Sequence, residues 1–266
     1  MINNLNFDCR LCSGDTQLKF SEKILNKYSI KFLECKNCKS LQTENPYWLK
    51  ESYNEWNTKF DTGVFSRVEK TSLLTIFLCK FLKFKNIIDY GGGDGLFCRI
   101  LRDYNFNCNT YDKYSKNIYS KNYDNLDQKN LDLLTSFEAI EHFEKPKEEF
   151  EKIFSMNPKA FLLTTSIYKD QDSKWNYLEL ATGQHIFFYS KRALQDLSKK
   201  YNYHIYFLES GFILMTSDQF NCNKFKIFLL KKLLVREKFF YFFFFFRIFL
   251  NPKGYEKDYI NLKKKL

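Results

Sequence analysis

Residues 86–95 read NIIDYGGGDG, and this stretch restricts the fold of the chain more than any other. A short apolar run ends in an acidic residue and is followed by Gly91, Gly93 and Gly95. The next residues, LFCRILRDY, show helical spacing of apolar side chains. This order predicts a strand, a tight glycine turn and a helix, a backbone that lets a nucleoside cofactor approach main-chain N–H groups. An ordinary tight turn between a strand and a helix is the alternative.

The residues around the turn discriminate between classes of cofactor. A dinucleotide fingerprint would place a glycine at position 96, where this chain has Leu96. Asp89 ends the strand, where its carboxylate can pair with a cationic group of a ligand. The next strand-like segment, NCNTYDKY, ends at Asp112, which is placed to accept hydrogen bonds from two ribose hydroxyls.

This arrangement resembles the first two motifs of class I S-adenosylmethionine (SAM)-dependent methyltransferases. In that family an acid–x–Gly–x–Gly–x–Gly turn encloses the methionine end of the cofactor, and an acid after the second strand holds the ribose. The resemblance implies that SAM is bound by Asp89, Gly91, Gly93, Gly95 and Asp112. Alternating strand-like and helical segments favour the matching α/β fold, a Rossmann-like doubly wound sheet with an antiparallel terminal hairpin.

Four of the eight cysteines form two CxxC pairs near the start of the chain. Cys9 and Cys12 make the first pair, and Cys35 and Cys38 make the second. Each pair offers two thiolates from one turn, and four thiolates satisfy tetrahedral zinc. We therefore expect a small N-terminal zinc ribbon with one structural zinc ion. Disulfides and a redox-active CxxC are the alternatives, but a reducing cytosol disfavours the first and the second would not need two copies.

A further resemblance to the same methyltransferases lies in LDLLTSFEAIEHFEKP, which is similar to their fourth strand and the residues after it. It implies that Ser136, Phe137 and Glu138 lie beside the sulfonium of the cofactor. Glu141 and His142 follow on the next helical turn, where both are candidate catalytic residues. For His142, the alternative is a helix-face histidine that makes one structural hydrogen bond.

His185 is the first candidate for a general base. It lies in GQHIFFYS, after the fifth predicted strand and before a helix predicted to start at Ser190. The stretch resembles the histidine–x–x–aromatic–aromatic–Ser segment of deoxysugar C-methyltransferases, in which the matching histidine acts on the substrate as a base. The resemblance implies the same role for His185, with Tyr177 in the preceding aromatic stretch as a further candidate. Loop packing is the alternative role for His185.

The order of these segments resembles a bacterial family of short, ribbon-bearing methyltransferases that are associated with surface-polysaccharide genes. The resemblance implies a SAM-dependent enzyme whose acceptor is a small molecule, a sugar or nucleotide-linked sugar of polysaccharide biosynthesis. The residues before His185 read ATGQ and match the catalytic set of the sugar C-methyltransferases only in part. Methylation at carbon is therefore not favoured over methylation at oxygen or nitrogen.

Two other functions compete with this interpretation. An rRNA or tRNA methyltransferase is one, since a formal net charge of +11 suits a nucleic-acid partner. Against it, the chain has no NPPY-type loop for an exocyclic amine. The other is a non-catalytic binding module with the same fold, and the complete set of Asp89, three glycines and Asp112 argues against that.

The patterns predict four regions along the chain. These are a zinc ribbon over 1–45, a connecting and lead-in helical segment over 46–85, a SAM-dependent methyltransferase domain over 86–220 and a basic, aromatic helical tail over 221–266. Basic and apolar clusters alternate in 224–250, which favours a helix packed on the fold or a partner, with peripheral membrane contact as the alternative. No secretory signal or bilayer-length apolar run is present, so a cytoplasmic location is expected.

Overall fold

The computed structural model of the protein describes residues 8–53, 63–128, 130–208, 211–218, 220 and 254–263. Two compact units divide the chain. The first unit consists of Met1–Asp61, Glu138–Ser155 and Thr164–Ile205, and the second of Thr62–Phe137, Met156–Leu163 and Tyr206–Leu266. Each unit therefore combines segments that are distant in sequence, and the four linear regions stay a prediction.

The described strands and helices follow the predicted alternation. The strands are β1 (Thr16–Ile24), β2 (Tyr28–Cys35), β3 (Leu41–Thr43), β4 (Asn86–Tyr90), β5 (Asn107–Tyr111), β6 (Leu133–Phe137), β7 (Ala160–Thr164), β8 (Phe187–Phe188), β9 (Tyr203–Phe207) and β10 (Phe212–Ser217). The α-helices are α1 (Leu49–Ser52), α2 (Val64–Leu82), α3 (Leu96–Asp103), α4 (Pro146–Ser155), α5 (Lys191–Lys200) and α6 (Gly254–Lys263). Short 3-10 helices cover Ile140–His142 and Asn176–Leu178.

The first unit contains a four-stranded sheet in the order β1-β2-β3-β8, which we call the ribbon sheet. All three strand pairs are antiparallel. The first three strands follow one another near the start of the chain, whereas β8 comes directly after His185. Leu41 of β3 is paired with Phe188 of β8, so a late segment of the chain completes the ribbon sheet.

An apolar core supports the ribbon sheet within the first unit. Ile30, Phe32, Leu41 and Phe188 belong to it and are completely buried. These side chains come from β2, β3 and β8, and the burial of apolar surface holds the short β8 in place although only two of its residues are in strand conformation.

Two helices of the first unit begin with recognisable signals. Ser190 caps α5, and its hydroxyl accepts a hydrogen bond from the Ala193 N–H at 2.9 Å, as the sequence predicts. Pro146 is the first residue of α4. The first helical position needs no N–H donor and suits the fixed φ of proline.

A six-stranded sheet in the order β5-β4-β6-β7-β10-β9 is the main feature of the α/β fold. Strand β4 is parallel to both β5 and β6, with Ile88 opposite Asn109 on one side and Leu134 on the other. Strands β9 and β10 are neighbours, and the Leu208 N–H donates to the Phe212 carbonyl between them. The predicted Rossmann-like sheet with helices is confirmed, while Ser210 in the predicted terminal turn lies outside the described residues.

The apolar core of the second unit surrounds β4. Ile87 is completely buried in it, together with Leu101 of α3 and Leu133 of β6. Such burial explains why the strand that leads into the glycine turn is apolar along most of its length.

The basic tail is described only at its end, where α6 lies. Residues 224–250, predicted to pack on the fold, a partner or a membrane surface, lie outside the described residues. In the part of the chain that the structure does describe, no helix has the length and apolar character to cross a membrane.

Burial of β4 should dominate the stability of the second unit. Ile87→Ala removes a fully buried side chain and should lower the free energy of unfolding by about 2–5 kcal/mol. Ile118→Ala is the control, because that side chain is 54% exposed. Urea denaturation of both variants measures the difference, and an equal effect would contradict the assigned core.

Candidate functional site

The glycine turn has the geometry that its sequence predicts. Gly91, Gly93 and Gly95 have φ values of 77°, 59° and 85°, in the left-handed region that favours glycine. The Gly91 N–H donates to the Tyr111 carbonyl at 2.7 Å, which ties the turn to the end of β5. Helix α3 begins directly after the turn. A strand, a glycine turn and a helix are therefore all present in the second unit.

Glycine is required at positions 92 and 93 for different reasons. A Cβ atom on Gly92 would lie 2.1 Å from Asp89 Oδ2 and 2.2 Å from Thr110 Oγ1. A Cβ atom on Gly93 would meet nothing within 4 Å. Gly92 is thus needed for packing inside the protein, while Gly93 faces open space in which a ligand can approach the backbone. The sequence interpretation missed Gly92, although three consecutive glycines were its signal.

Asp89 lies at the end of β4 and is only 2% exposed. Its Oδ1 accepts a hydrogen bond from the Thr135 hydroxyl at 2.9 Å, and its Oδ2 has no hydrogen-bond partner among the described residues. Burial, with a smaller contribution from nearby Asp112, raises the pKa of the Asp89 carboxyl to about 7. A ligand that brings a positive charge or a hydrogen-bond donor would stabilise such a carboxyl group.

Asp112 lies beside the glycine turn, at the end of β5. One carboxylate oxygen accepts a hydrogen bond from the Gly93 N–H at 3.0 Å. The other accepts from the Tyr114 and Ser115 N–H groups at 2.8 and 2.7 Å. The structure therefore joins the turn and the second predicted acid, and a ribose role for Asp112 stays a prediction.

The three residues predicted beside the sulfonium are in different surroundings. Ser136 is fully buried at the end of β6, and its hydroxyl has no partner in the described part of the chain. The Phe137 ring packs against Phe97, with centroids 5.2 Å apart, and so belongs to the edge of the core. Glu138 begins the next segment of the first unit, and its carboxylate accepts a hydrogen bond from the Tyr177 hydroxyl at 3.1 Å.

The first unit brings together Glu138, Glu141, His142, Tyr177 and His185, which we call the acceptor cluster. Ligand atoms of three of them, namely Glu141 and the two histidines, all lie within 4.8 Å of one another. The two imidazole rings meet edge to face, with centroids 4.9 Å apart. The four predicted catalytic residues therefore form a real spatial group, while their catalytic roles stay predictions.

His185 is held in one orientation by a backbone contact. Its Nδ1 lies 2.7 Å from the Tyr177 carbonyl oxygen. Because a carbonyl can only accept, Nδ1 carries the proton of the neutral ring, and Nε2 is left with a lone pair. Burial lowers the pKa of His185, so the imidazole is neutral near pH 7.

His142 is in a more restrictive environment. Its Nδ1 lies 3.1 Å from the Tyr53 hydroxyl, and burial, aided by the neighbouring His185, lowers its pKa to about 3. An imidazole that resists protonation this strongly is a poor proton acceptor. His142 is therefore better suited to orienting its neighbours or a substrate hydroxyl than to general base catalysis.

The Tyr177 hydroxyl links the two carboxylates of the cluster. It contacts Glu138, Glu141 and, at 3.2 Å, the Thr165 hydroxyl. Because a phenol has one proton to donate, it cannot satisfy two charged carboxylates at once, and one carboxyl must carry a proton of its own. Glu141 is that group, since complete burial and the proximity of Glu138 raise its pKa well above the usual value.

This proton distribution keeps Tyr177 neutral. Burial and the two acidic neighbours raise the pKa of Tyr177. The phenol therefore orients the carboxyls, whereas His185 provides the neutral basic atom. Glu141 Oε2 is fully buried and has no hydrogen-bond partner among the described residues.

The predicted cysteines meet in the first unit. The Sγ atoms of Cys9 and Cys38 are 3.7 Å apart, and those of Cys12 and Cys35 are 3.5 Å apart. Four sulfurs at Zn–S bonds of about 2.3 Å in a tetrahedron would lie about 3.8 Å apart. The four thiols thus fit a closed, structural zinc site that leaves no position for water. Cys79, Cys98 and Cys108 are buried and lie outside this cluster.

The zinc prediction has a direct measurement. Protein purified without added metal should contain about one equivalent of zinc by elemental analysis, because four thiolates bind zinc tightly. Cys38→Ser should lose most of that metal. Cys79→Ser is the control and should keep it, and a metal-free, fully folded native protein would contradict the prediction.

The raised pKa of Asp89 predicts how cofactor affinity changes with pH. Below about pH 7 the free protein carries a neutral Asp89 that cannot pair with a cation, so affinity for S-adenosylhomocysteine should rise as the pH increases from 6 to 8. The free protein should lose stability as the pH rises from about 4 to about 7, because the buried carboxyl then becomes charged without a cationic partner. Titration calorimetry of the wild type, Asp89→Asn and exposed Asp124→Asn tests this. A pH dependence unchanged in Asp89→Asn would rule out Asp89 as the source.

Comparisons with known proteins give the family. The sequence model of a methyltransferase domain matches residues 65–206, which is more than half of the chain. No curated protein matches the chain significantly.

Several solved methyltransferases have similar folds at low sequence identity. Magnesium protoporphyrin IX methyltransferase from Synechocystis PCC 6803 is 10% identical, with 64% of this chain and 93% of that chain covered and a TM-score of 0.46. The 1,6-didemethyltoxoflavin-N1-methyltransferase of Burkholderia thailandensis is 10% identical, with 75% and 100% covered and a TM-score of 0.46. A possible histamine N-methyltransferase of Thermotoga maritima is 14% identical, with 64% and 100% covered and a TM-score of 0.45.

The family match covers the glycine turn, Asp112 and the acceptor cluster. It agrees with the α/β sheet and with the turn geometry, and it confirms the predicted type of enzyme. The chain belongs to the methyltransferase domain family and is a SAM-dependent methyltransferase.

Proposed function

We propose that this enzyme methylates a small polar acceptor, a sugar or nucleotide-linked sugar, and that His185 accepts the proton that the acceptor loses. The proposal rests on one observation above all. The His185 ring is neutral, and its Nδ1 is fixed by the Tyr177 carbonyl at 2.7 Å, so that Nε2 is the free basic atom. A positioned, neutral imidazole is the usual general base near physiological pH.

The residues around the glycine turn would hold the cofactor in this proposal. SAM supplies a methyl group on a sulfonium, which is electrophilic without further activation. Asp89 would pair with the cationic end of the cofactor, and Asp112 would hold the ribose. The open space beside Gly93 would let the cofactor approach the main chain of the turn. Ser136 and Phe137 complete the proposed cofactor residues. Among the described residues, Asp89 Oδ2 has no hydrogen-bond partner and nothing would lie within 4 Å of a Cβ atom on Gly93, and both observations support this assignment.

Proton transfer follows from the charges in the acceptor cluster. As the acceptor oxygen forms a bond to the methyl carbon, the C–S bond breaks and S-adenosylhomocysteine leaves. The hydroxyl proton of the acceptor passes to His185 Nε2, which becomes an imidazolium. Glu138, the more accessible carboxylate of the cluster, stabilises that charge.

The carboxyl groups of the cluster favour an acceptor rich in hydroxyls. Glu141 has a buried oxygen without a partner, and Glu138 faces the same Tyr177 hydroxyl. Carboxyl oxygens accept hydrogen bonds from a sugar, whereas the carboxylate of Glu138 would repel a phosphodiester placed against it. A role in surface-polysaccharide biosynthesis belongs to this proposal and rests on the resemblance of the chain to ribbon-bearing methyltransferases.

The RNA alternative is supported by the net charge of +11. Two cations of the ribbon sheet are already in ion pairs, Lys19 with Asp170 and Lys27 with Glu51. Such pairing reduces the positive charge that the sheet offers to a phosphate backbone. We therefore keep RNA as a second outcome of the screen described next.

A methyl-transfer screen tests the proposal. Tritiated SAM is incubated with a panel of nucleotide-sugars in one arm and with bulk RNA in the other, and we expect label only in a sugar product. With the acceptor so found, His185→Gln should lower turnover by roughly 10²- to 10⁴-fold and change S-adenosylhomocysteine affinity little. His204→Gln, an exposed residue of β9, is the control. Label in RNA alone, or near-full turnover of His185→Gln, would refute the proposal.

A further inference from the structure

We propose that Arg10, which lies in the Cys9–Cys12 pair (the first cysteine knuckle, with Cys35–Cys38 as the second), positions His142 and His185 of the acceptor cluster. The ribbon sheet then contributes to the acceptor site. This inference rests on the proposed function, because it gives the ribbon a role in placing His142 and His185. Arg10 acts here as a positioning residue and does not touch the reacting atoms.

The residues that follow His185 belong to the ribbon sheet. Ile186 accepts a hydrogen bond from the Thr43 N–H at 3.0 Å. Phe187 is then paired with Gln42 in the ribbon sheet. The backbone that carries His185 is therefore an extension of the sheet built by the cysteine knuckles.

The Arg10 guanidinium donates hydrogen bonds to backbone carbonyls near both histidines. Nη2 donates to the Ile186 carbonyl at 2.5 Å and lies 3.3 Å from the Thr43 hydroxyl. Nη1 donates to the Glu144 carbonyl at 3.2 Å. One side chain thus bridges the residue after His185 and a residue two positions after His142. The planar fork of arginine can span two carbonyls in this way, whereas a lysine ammonium on a flexible stem cannot hold them in a fixed geometry.

The segment after His185 is also hydrogen-bonded to the segment that contains Glu141 and to the second knuckle, Cys35–Cys38. The Ile186 N–H donates to the Glu141 carbonyl at 3.0 Å. The Ser190 hydroxyl donates to the Cys38 carbonyl, and the Ser190 N–H donates to the Ser40 hydroxyl at 3.1 Å. Both knuckles therefore anchor the segment that follows His185.

The position of Arg10 in the sequence connects these contacts to the metal ligands. Arg10 lies between Cys9 and Cys12, the two thiols of the first knuckle. Zinc held by the four cysteines would fix the knuckle backbone from which the guanidinium extends. The sequence offers no periodicity from which this link could be read, because the partners of Arg10 are main-chain carbonyls far along the chain.

The chain offers a simple spectroscopic test, since it has only three histidines. Full-length protein labelled with ¹³C-histidine should give one Cε1–Hε1 signal each for His142, His185 and His204, assigned from single His→Gln variants. Arg10→Ala should shift or broaden the signals of His142 and His185 and leave that of His204 unchanged. Its affinity for S-adenosylhomocysteine should stay within twofold of the wild type.

Two further variants sharpen the result. Arg10→Lys should restore the two signals only in part, because an ammonium cannot replace the fork. Arg192→Ala is the matched control, since that arginine is on the surface with a side chain that is 63% exposed, and it should change none of the signals.

The inference is overturned if Arg10→Ala leaves all three signals in place. It is also overturned if all three move together, because Arg10 would then support the fold as a whole rather than the acceptor cluster. These measurements need no acceptor, so they separate this inference from the proposed function. Retained turnover in His185→Gln would refute the base role and leave the spectroscopic result standing.

Discussion

The buried carboxyl of Asp89 is the group around which the glycine turn of this protein is organised. Burying a carboxyl with one oxygen unpartnered costs free energy that the fold must supply elsewhere. The glycine at position 92 makes this arrangement possible, because any side chain there would collide with Asp89. The strand, the turn and the carboxyl therefore depend on one another. The Asp89 oxygen that has no partner among the described residues is where a ligand could donate a hydrogen bond.

Glu141 repeats the same principle in the first unit. It is also fully buried, also has one oxygen bonded to a hydroxyl, and also has one oxygen without a partner in the described residues. The difference lies in the neighbours, since Glu141 shares Tyr177 with a second carboxylate and keeps its proton. Two buried carboxyls therefore serve different ends, one suited to a cation and the other to a neutral hydroxyl.

Much of this architecture could be read from the sequence because the signals are local. The glycines at 91, 93 and 95 need left-handed backbone, the two CxxC pairs bring four thiols together, and Ser190 caps the helix that follows it. Each of these depends on a few adjacent residues. Their physical requirement is visible in the residue types alone.

The features that escaped prediction depend on distant contacts. Strand β8 has two residues, too few for any periodicity, and it exists because β3 offers a partner and the ribbon core offers burial. The contacts of Arg10 could not be predicted from the sequence either, because their acceptors are main-chain carbonyls, which every residue has.

Pairing of Leu41 with Phe188 has a consequence for the order of events during synthesis. The cysteine knuckles emerge from the ribosome first, yet the edge of β3 has no partner until residue 188 has been made. Until then, the open edge of β3 is exposed to other nascent chains, and open strand edges favour misassembly. Closure of this sheet is a slow, long-range event that also sets the backbone after His185, so the nascent chain would acquire its proposed base only near the end of folding.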